Sequence, residues 1–317
     1  MPSRTAGRYG GQLFALLATA IWAGNLIAAR GLRDDVPPVS LAFWRCVLAV
    51  VVILPWTARP FRNELRSVGR HVRLLSLLGL SGIAVFTVLV YVAAHTTTAT
   101  NLSLLDIAAS VFIVLFAWAA GQERLDGMGL IGSALAVAGV VVLVTEGALT
   151  RFDPNPGDLW MLGAAVIFAL YCLLVRRVPV TLSEPTVLLA TFGSALIFLL
   201  PAYLVELSLV GGFAVTPGLL GSLVYVGVMS SAVAYFCWNR AVKRIGASKA
   251  GVVYYLLPLI TALLGIWVLG EPVSWHQVLS MVLIVLGVAL GLRGPRRPPR
   301  RLGHRFSKKE EEEAIIR

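Results

Sequence analysis

The sequence predicts an all-α membrane protein: ten transmembrane helices arranged as two inverted five-helix repeats around a central cavity. Three observations predict it. The first is composition: 58% of the 317 residues are hydrophobic and 14% are charged, with a mean hydropathy of +0.83. A soluble domain has roughly 45–50% apolar and about 25% charged residues. The second is spacing. Apolar runs fall at 12–30, 36–56, 72–94, 97–120, 127–145, 157–176, 185–206, 216–240, 246–269 and 275–292, each near the ~20 residues that span about 30 Å of hydrocarbon. The third is a self-similarity between the first five runs and the last five.

The ten runs fix an expected orientation through their flanking Lys and Arg. With the N-terminus inside, the cytoplasmic segments hold 23 basic residues; the opposite side holds only Arg30, Arg33 and Arg151, and Arg45 lies within the second run. Both termini are therefore expected in the cytoplasm, in a multi-pass protein of the inner (cytoplasmic) membrane. The net charge of +11 would suggest nucleic acid in a soluble chain; here it is a positive-inside bias, and the expected partners are membrane lipid and a small-molecule substrate, with no nucleic acid and no ATPase subunit. A monomer is the expected state.

In order along the chain, residues 1–11 read as a cytoplasmic N-terminus. The first run, with Trp22 and Asn25 at i and i+3, lacks a convincing small-residue cleavage site and reads as a retained helix. The second carries Arg45 about eight residues from the outer side, and the third carries Tyr91. The fourth contains "NLSLLDIAAS" (101–110), in which Ser103, Asp106 and Ser110 share one helical face. Asp106 sits roughly 14 Å deep at 1.5 Å per residue, too deep for a short carboxylate to reach the surface. It is either buried and satisfied within the bundle or lines a cavity. Arg45 lies at matching depth and is the candidate partner of Asp106; a structural and a substrate-binding arginine are both open. "TEGALTRFDPNPGD" (145–158) separates the repeats, taken as 12–150 and 151–292. In the second repeat, Tyr171, Tyr235, Asn239 and Tyr254 read either as packing or as contacts. Glu123 and Glu271 read as end-of-helix carboxylates that cap or pair. Gly79, Gly82, Gly132, Gly139, Gly227 and Gly287 permit close helix contact. The tail 293–317 reads as a basic, then acidic, cytoplasmic segment.

The repeat is visible residue by residue. "TTATNLSLLDIAASVFIVLFAWAAGQERL" (97–125) aligns with "IGASKAGVVYYLLPLITALLGIWVLGEPV" (245–273), pairing Asp106 with Tyr254, Ser110 with Pro258 and Glu123 with Glu271. "ATAIWAGNLIAAR" (18–30) aligns with "AAVIFALYCLLVR" (164–176), pairing Asn25 with Tyr171 and Arg30 with Arg176. Repeats with an odd number of crossings insert in opposite orientations, the arrangement of alternating-access transporters with a midplane site.

These segments, together with "VPPVSLAFWR" and "AYFCWNRAVKRIGASKAGVVYYLLPLITALLGIWVLGEPVSWHQVLSMVLIVLGV", resemble the drug/metabolite transporter superfamily, in particular its ten-helix EamA-type branch. The resemblance covers 12–292 in two copies and implies a helical bundle exporting amino acids, related metabolites or drugs. The family usually has a proline where this chain has Ser110, while Pro258 keeps it in the second copy.

The substrate-binding candidates are Trp22, Asn25, Arg45, Tyr91, Asp106, Ser110, Tyr171, Tyr235, Asn239 and Tyr254. No Ser/His/Asp, HExxH or paired-carboxylate motif indicates an intramembrane enzyme, and no Gly-rich phosphate loop indicates ATP drive. The dispersed His71, His95, His276 and His304 and the single cysteines Cys46, Cys172 and Cys237 suggest no metal site, disulfide or cofactor. The competing class is a membrane scaffold or sensor, which has no need of polar residues at midplane depth.

Overall fold

The computed structural model describes residues 4–119, 127–146, 155–175, 177–179, 181–245 and 253–293. Among the described residues the regular structure is helical. The helices are α1 (Arg4–Gly31), α2 (Pro38–Asn63), α3 (Val72–Ala93), α4 (Ala99–Ala119), α5 (Gly127–Val144), α6 (Pro156–Val175), α7 (Glu184–Val210), α8 (217–245), α9 (Leu257–Leu269) and α10 (Trp275–Arg293), with a short helix, Leu65–Arg70, between α2 and α3. Six of them contain stretches long and apolar enough to cross a membrane, in α1, α2, α3, α6, α7 and α8, and shorter apolar helices run over Leu130–Val144, Leu257–Leu269 and Trp275–Gly287. Glu123 and the tail beyond Arg293 lie outside the described residues.

The bundle is inside-out relative to a soluble protein. Large apolar side chains such as Trp56, Ile197, Leu209 and Trp267 are exposed, whereas Arg45, Asp158, Thr19, Ser230 and Ser231 are buried. A hydrocarbon surroundings demands this arrangement, because polar groups there must be satisfied within the protein.

Local chemistry sets the helix ends. Pro38 opens α2 at a position where its missing N–H costs nothing. The helix then runs through Pro55 and Pro60 to Asn63, past the end of the apolar run at 56. Gly270 closes α9 with φ +66°, a left-handed turn that glycine adopts without steric cost, and the Glu271 N–H bonds back to the Gly265 carbonyl. π-Helical segments interrupt α3 (Leu80–Val85), α8 (Tyr225–Val233) and the end of α9 (Gly265–Leu269). The fourth and ninth helices differ around the paired positions Ser110 and Pro258. α4 is continuous from Ala99 to Ala119, while the backbone ahead of α9 turns at Tyr255–Leu256 and Pro258 sits in the first turn of the renewed helix.

Helix pairing is reciprocal. α2 packs against α7, and α5 against α10. The Glu64 carboxylate, just beyond the end of α2, accepts the Ser183 N–H ahead of α7 at 2.9 Å. The Glu206 carboxylate, near the end of α7, accepts the Val39 and Ser40 N–H groups at 3.0 and 2.6 Å. Each helix thus caps the other, and the two run antiparallel. In the second pair, a Cβ at Gly139 would lie 2.8 Å from Ile284 Cγ1, and one at Gly287 would lie 2.5 Å from the Gly132 carbonyl oxygen and 2.6 Å from the Ala136 nitrogen.

Two predictions follow from this packing. Gly287→Ala puts a methyl against backbone that cannot give way, so it should destabilise the protein by about 1–3 kcal/mol, read as a lower melting temperature in detergent. Gly193→Ala meets nothing within 4 Å and should be neutral or stabilising. The Ser183 backbone N–H holds the Glu64 carboxyl below its ordinary pKa, an effect that burial opposes and the Ser183 and Thr186 hydroxyls reinforce. A depressed acid stabilises the fold above its unfolded value and stops doing so as pH falls through the depressed one. Glu64→Gln should therefore lower the melting temperature slightly at pH 7, and the gap from wild type should close in that acid range.

Candidate functional site

The polar centre of the bundle is built on Arg45, 8% exposed on the inner face of α2. Its Nε donates to Ser231 Oγ at 2.9 Å, Nη1 to the Tyr91 hydroxyl at 3.1 Å and, at a long 3.5 Å, to Asn25 Oδ1, and Nη2 to Ser230 Oγ at 3.3 Å. These partners come from α1, α3 and α8, and all are neutral. Among the described residues the guanidinium has no carboxylate within 4 Å.

The π-helical stretch of α8 makes this cradle. It turns the adjacent Ser230 and Ser231 both toward α2, and Ser231 Oγ donates to the Val226 carbonyl five residues earlier at 3.1 Å. The hydroxyl is thereby oriented so that its oxygen receives Arg45. The Ser230 carbonyl in turn accepts Trp22 Nε1–H at 3.1 Å. A single irregular turn therefore positions both the arginine and the tryptophan, in line with the frequency of π-bulges at functional sites.

Trp22 leads into an aromatic cluster. Its ring centroid lies 5.6 Å from Tyr235, 5.5 Å from Trp238 and 5.7 Å from Tyr254, with near-perpendicular planes for the two tyrosines. Trp238 and Tyr254 are 5.6 Å apart, and Phe192 stands 6.0 Å from Tyr235. At the edge of this cluster the Tyr254 hydroxyl donates to Asp106 at 2.6 Å.

Arg45 and Asp106, candidate partners by their matching depth, do not pair among the described residues. Arg45 is turned by Ser231 and Tyr91 toward α3 and α8, while Asp106 is engaged by Tyr254, just ahead of the turn that precedes α9. Asp106, half-buried, has no cation within 4 Å among the described residues. The two opposite charges thus stand apart, each held by neutral hydrogen-bonding groups. Trp22, Asn25, Arg45, Tyr91, Asp106, Tyr235 and Tyr254 are brought together in two contacting groups that Ser230 joins. Tyr171 joins a neighbouring group: its ring lies over Gly82 and 5.7 Å from Phe168. The side chains of Ser110 and Asn239 lie outside the described residues. Ser230, Ser231 and Trp238 were not among the sequence candidates, although "VMSSAVAYFCW" places two hydroxyls mid-run and a tryptophan three residues after Tyr235.

A second polar network joins the ends of α1, α3 and α9 to the starts of α4, α6 and α10. Arg30 Nε pairs with Glu271 Oε1 at 2.9 Å, and its Nη1 donates to the Ala94 and His95 carbonyls at 2.7 and 3.0 Å. Glu271 Oε2 accepts the Ala99 N–H at 3.0 Å, so the carboxylate both pairs and caps. Beside it, Asp158 accepts from Thr97 and Asn101, and Gln277 donates to Thr98 and Asn101. No group of three potential metal ligands occurs among the described residues.

Two substitutions probe the centre. Arg45→Lys keeps the charge but loses the forked donors that reach α3 and α8 together; activity at matched expression should drop at least tenfold. Asp106→Asn retains an acceptor for the Tyr254 hydroxyl, so its melting temperature should stay within a few degrees of wild type while activity falls at least as far. Equal loss of folding and activity would identify a purely structural carboxylate.

The model of the EamA-like transporter family matches residues 10–145 and again residues 155–293. An uncharacterised transporter of Archaeoglobus fulgidus is 29% identical over 285 residues, covering 88% of this chain and 96% of that one. A relative from Streptantibioticus cattleyicolor named a probable terminal-alkyne amino-acid exporter is 29% identical, over 89% of this chain and 91% of its own. One from Escherichia coli named a probable amino-acid metabolite efflux pump is 27% identical, over 90% and 95%. A solved crystal structure at 22% identity superposes with a TM-score of 0.56 over 91% of this chain and 96% of that one, a likeness of fold.

Proposed function

Because the chain belongs to the EamA-like transporter family, a family of membrane transporters rather than enzymes, we propose that it is a secondary exporter of amino acids or related small metabolites, working by alternating access across the cytoplasmic membrane. The observation that carries the substrate reading is the separation of Arg45 from Asp106. A buried charge without a counter-ion is costly, and a site holding one cation and one anion apart, each on neutral donors or acceptors, is suited to a zwitterion. A carboxylate would dock on the guanidinium, an ammonium on Asp106, and the side chain between Trp22, Tyr235 and Tyr254, whose ring faces also favour a cation.

The alternating-access reading is supported by the reciprocity of the packing. The family model matches twice, with a boundary between residues 145 and 155. Contacts recur in equivalent pairs: α4 against α6 and α1 against α9, α3 against α6 and α1 against α8, α3 against α7 and α8 against α2. The π-helical interruptions of α3 and α8 are also equivalent under this correspondence. Together with the antiparallel α2–α7 and α5–α10 pairs, this favours ten crossings in two inverted repeats, and the basic-residue bias favours cytoplasmic termini. The names of the relatives from Streptantibioticus cattleyicolor and Escherichia coli favour amino-acid export.

Counterflow in proteoliposomes tests the reading. A panel of labelled amino acids should contain at least one exchanged substrate, and its carboxamide and its decarboxylated amine should compete at least tenfold less well. Arg45→Gln should abolish that preference. Equal competition by the amine would overturn the zwitterion assignment, and the absence of any exchanged solute across amino acids and cationic drugs would overturn the transporter reading for this site. With an imposed pH gradient, Asp106→Asn separates the two roles of the carboxylate. Loss of gradient-driven flux with exchange intact identifies a proton carrier; loss of both identifies a substrate ligand.

A further inference from the structure

The repeat correspondence sorts contacts into those it maps onto themselves and those it moves. At an offset of 148, Asp106 corresponds to Tyr254, and these two residues bond to each other. Contact between equivalent residues must lie on the axis that relates the repeats. The same offset takes Gly139 to Gly287 and Ala136 to Ile284, so the close approaches of Gly139 to Ile284 and of Gly287 to Ala136 exchange with each other. When two repeats trade conformations, as inverted repeats do between the two halves of a transport cycle, contacts of this kind persist.

The Arg30–Glu271 pair behaves differently. The correspondence takes Arg30 to Arg176 and Glu271 to Glu123, residues assigned by sequence to the opposite membrane face and outside the described residues. A contact carried to a different place is one that the two end states do not share. Its position also suits a closure. Arg30 ends α1 and holds the carbonyls of Ala94 and His95 between α3 and α4, all in the first repeat. Glu271 lies between α9 and α10 in the second repeat, held out by the Gly270 turn, and its other oxygen takes the Ala99 N–H at the start of α4. One carboxylate therefore ties the repeats together above Asp106 and Arg45. The two side chains are 15% and 13% exposed, dry enough for the pair to hold and wet enough for water to replace it.

We propose that the Arg30–Glu271 pair, with the Glu271 cap on Ala99, is the outer gate of the transport cycle, closed in this structure and broken when the centre opens outward. The gate rests on the inverted-repeat reading and not on the identity of the substrate. The labelling arm of its test needs no substrate. In a full-length background with Cys46, Cys172 and Cys237 replaced, Ser103→Cys, on α4 below Ala99 and fully buried, reports access from outside to a membrane-impermeant maleimide. Glu271→Gln should raise its labelling rate at least tenfold, and Glu271→Asp should raise it less. Separately, Arg30→Cys/Glu271→Cys joined by a short bis-thiol crosslinker should hold Ser103→Cys unreactive and stop counterflow of the exchanged amino acid, with both restored when a cleavable linker is reduced. Unchanged labelling in a folded Glu271→Gln protein, or full counterflow in the crosslinked one, would overturn the gate. Should Glu271→Gln fail to fold, the crosslinked protein alone decides. Altered labelling without any amino-acid exchange would leave the gate standing and remove the substrate reading.

Discussion

A guanidinium inside a lipid-facing bundle is the constraint around which this molecule is arranged. An ionised side chain at such depth costs about 2.5–3.5 kcal/mol on insertion scales, so Arg45 has to be wrapped in dipoles. The wrapping draws on three helices besides its own. Tyr91 comes from α3, Asn25 from α1, and Ser230 and Ser231 from a stretch of α8 whose backbone departs from the α-helix. The departure has a further effect, since the Ser230 carbonyl also fixes the indole of Trp22 and with it the aromatic group leading to Tyr254 and Asp106. Removing Arg45 would therefore take away a charge and the hydrogen bonds that join α2 to α1, α3 and α8.

The helices carrying these groups approach closely because small residues let them. Gly24 admits the Tyr225 ring, whose hydroxyl reaches the Ile21 carbonyl at 2.8 Å. Gly227 lies against Leu48 and the Arg45 carbonyl, and its counterpart Gly79 against Ser194 and the Thr191 carbonyl. In hydrocarbon, association gains nothing from excluding water, so close packing and interhelical hydrogen bonds must hold the bundle. Reciprocal carboxylate caps join α2 to α7, and close glycine contacts join α5 to α10.

Much of this was legible in the sequence, because lipid imposes length and apolarity on every crossing. Glycine positions at helix contacts, the capping or pairing role of Glu271 and most members of the central cluster could be read from spacing and repeat equivalence. What could not be read was direction. Arg45 and Asp106 match in depth, and depth alone suggested a pair; the rotation of α2 that aims Arg45 at α8 depends on where a π-helix falls, which has no local signature. Ser230 and Ser231 were hidden for the same reason: in a regular helix two adjacent residues point about 100° apart, and only the widened turn lets both serve one arginine. The network of Thr97, Asn101, Asp158 and Gln277 joins three segments distant in sequence, so no periodicity within any one of them announced it.

With Ser110 in the first repeat where the second has Pro258, the two halves are mechanically unequal: α4 is an unbroken rod, while the backbone ahead of α9 is jointed at Tyr255–Leu256. In a carrier whose repeats exchange shapes, a rod and a joint store different elastic energies in the same bend, so the mirror-image end states are not isoenergetic. On the alternating-access reading proposed above, the carrier rests on one side of the membrane. Detailed balance forbids that preference from driving net flux, but it gives the two faces different half-saturation concentrations, so the same solute is handled as a scarce ligand on one side and an abundant one on the other.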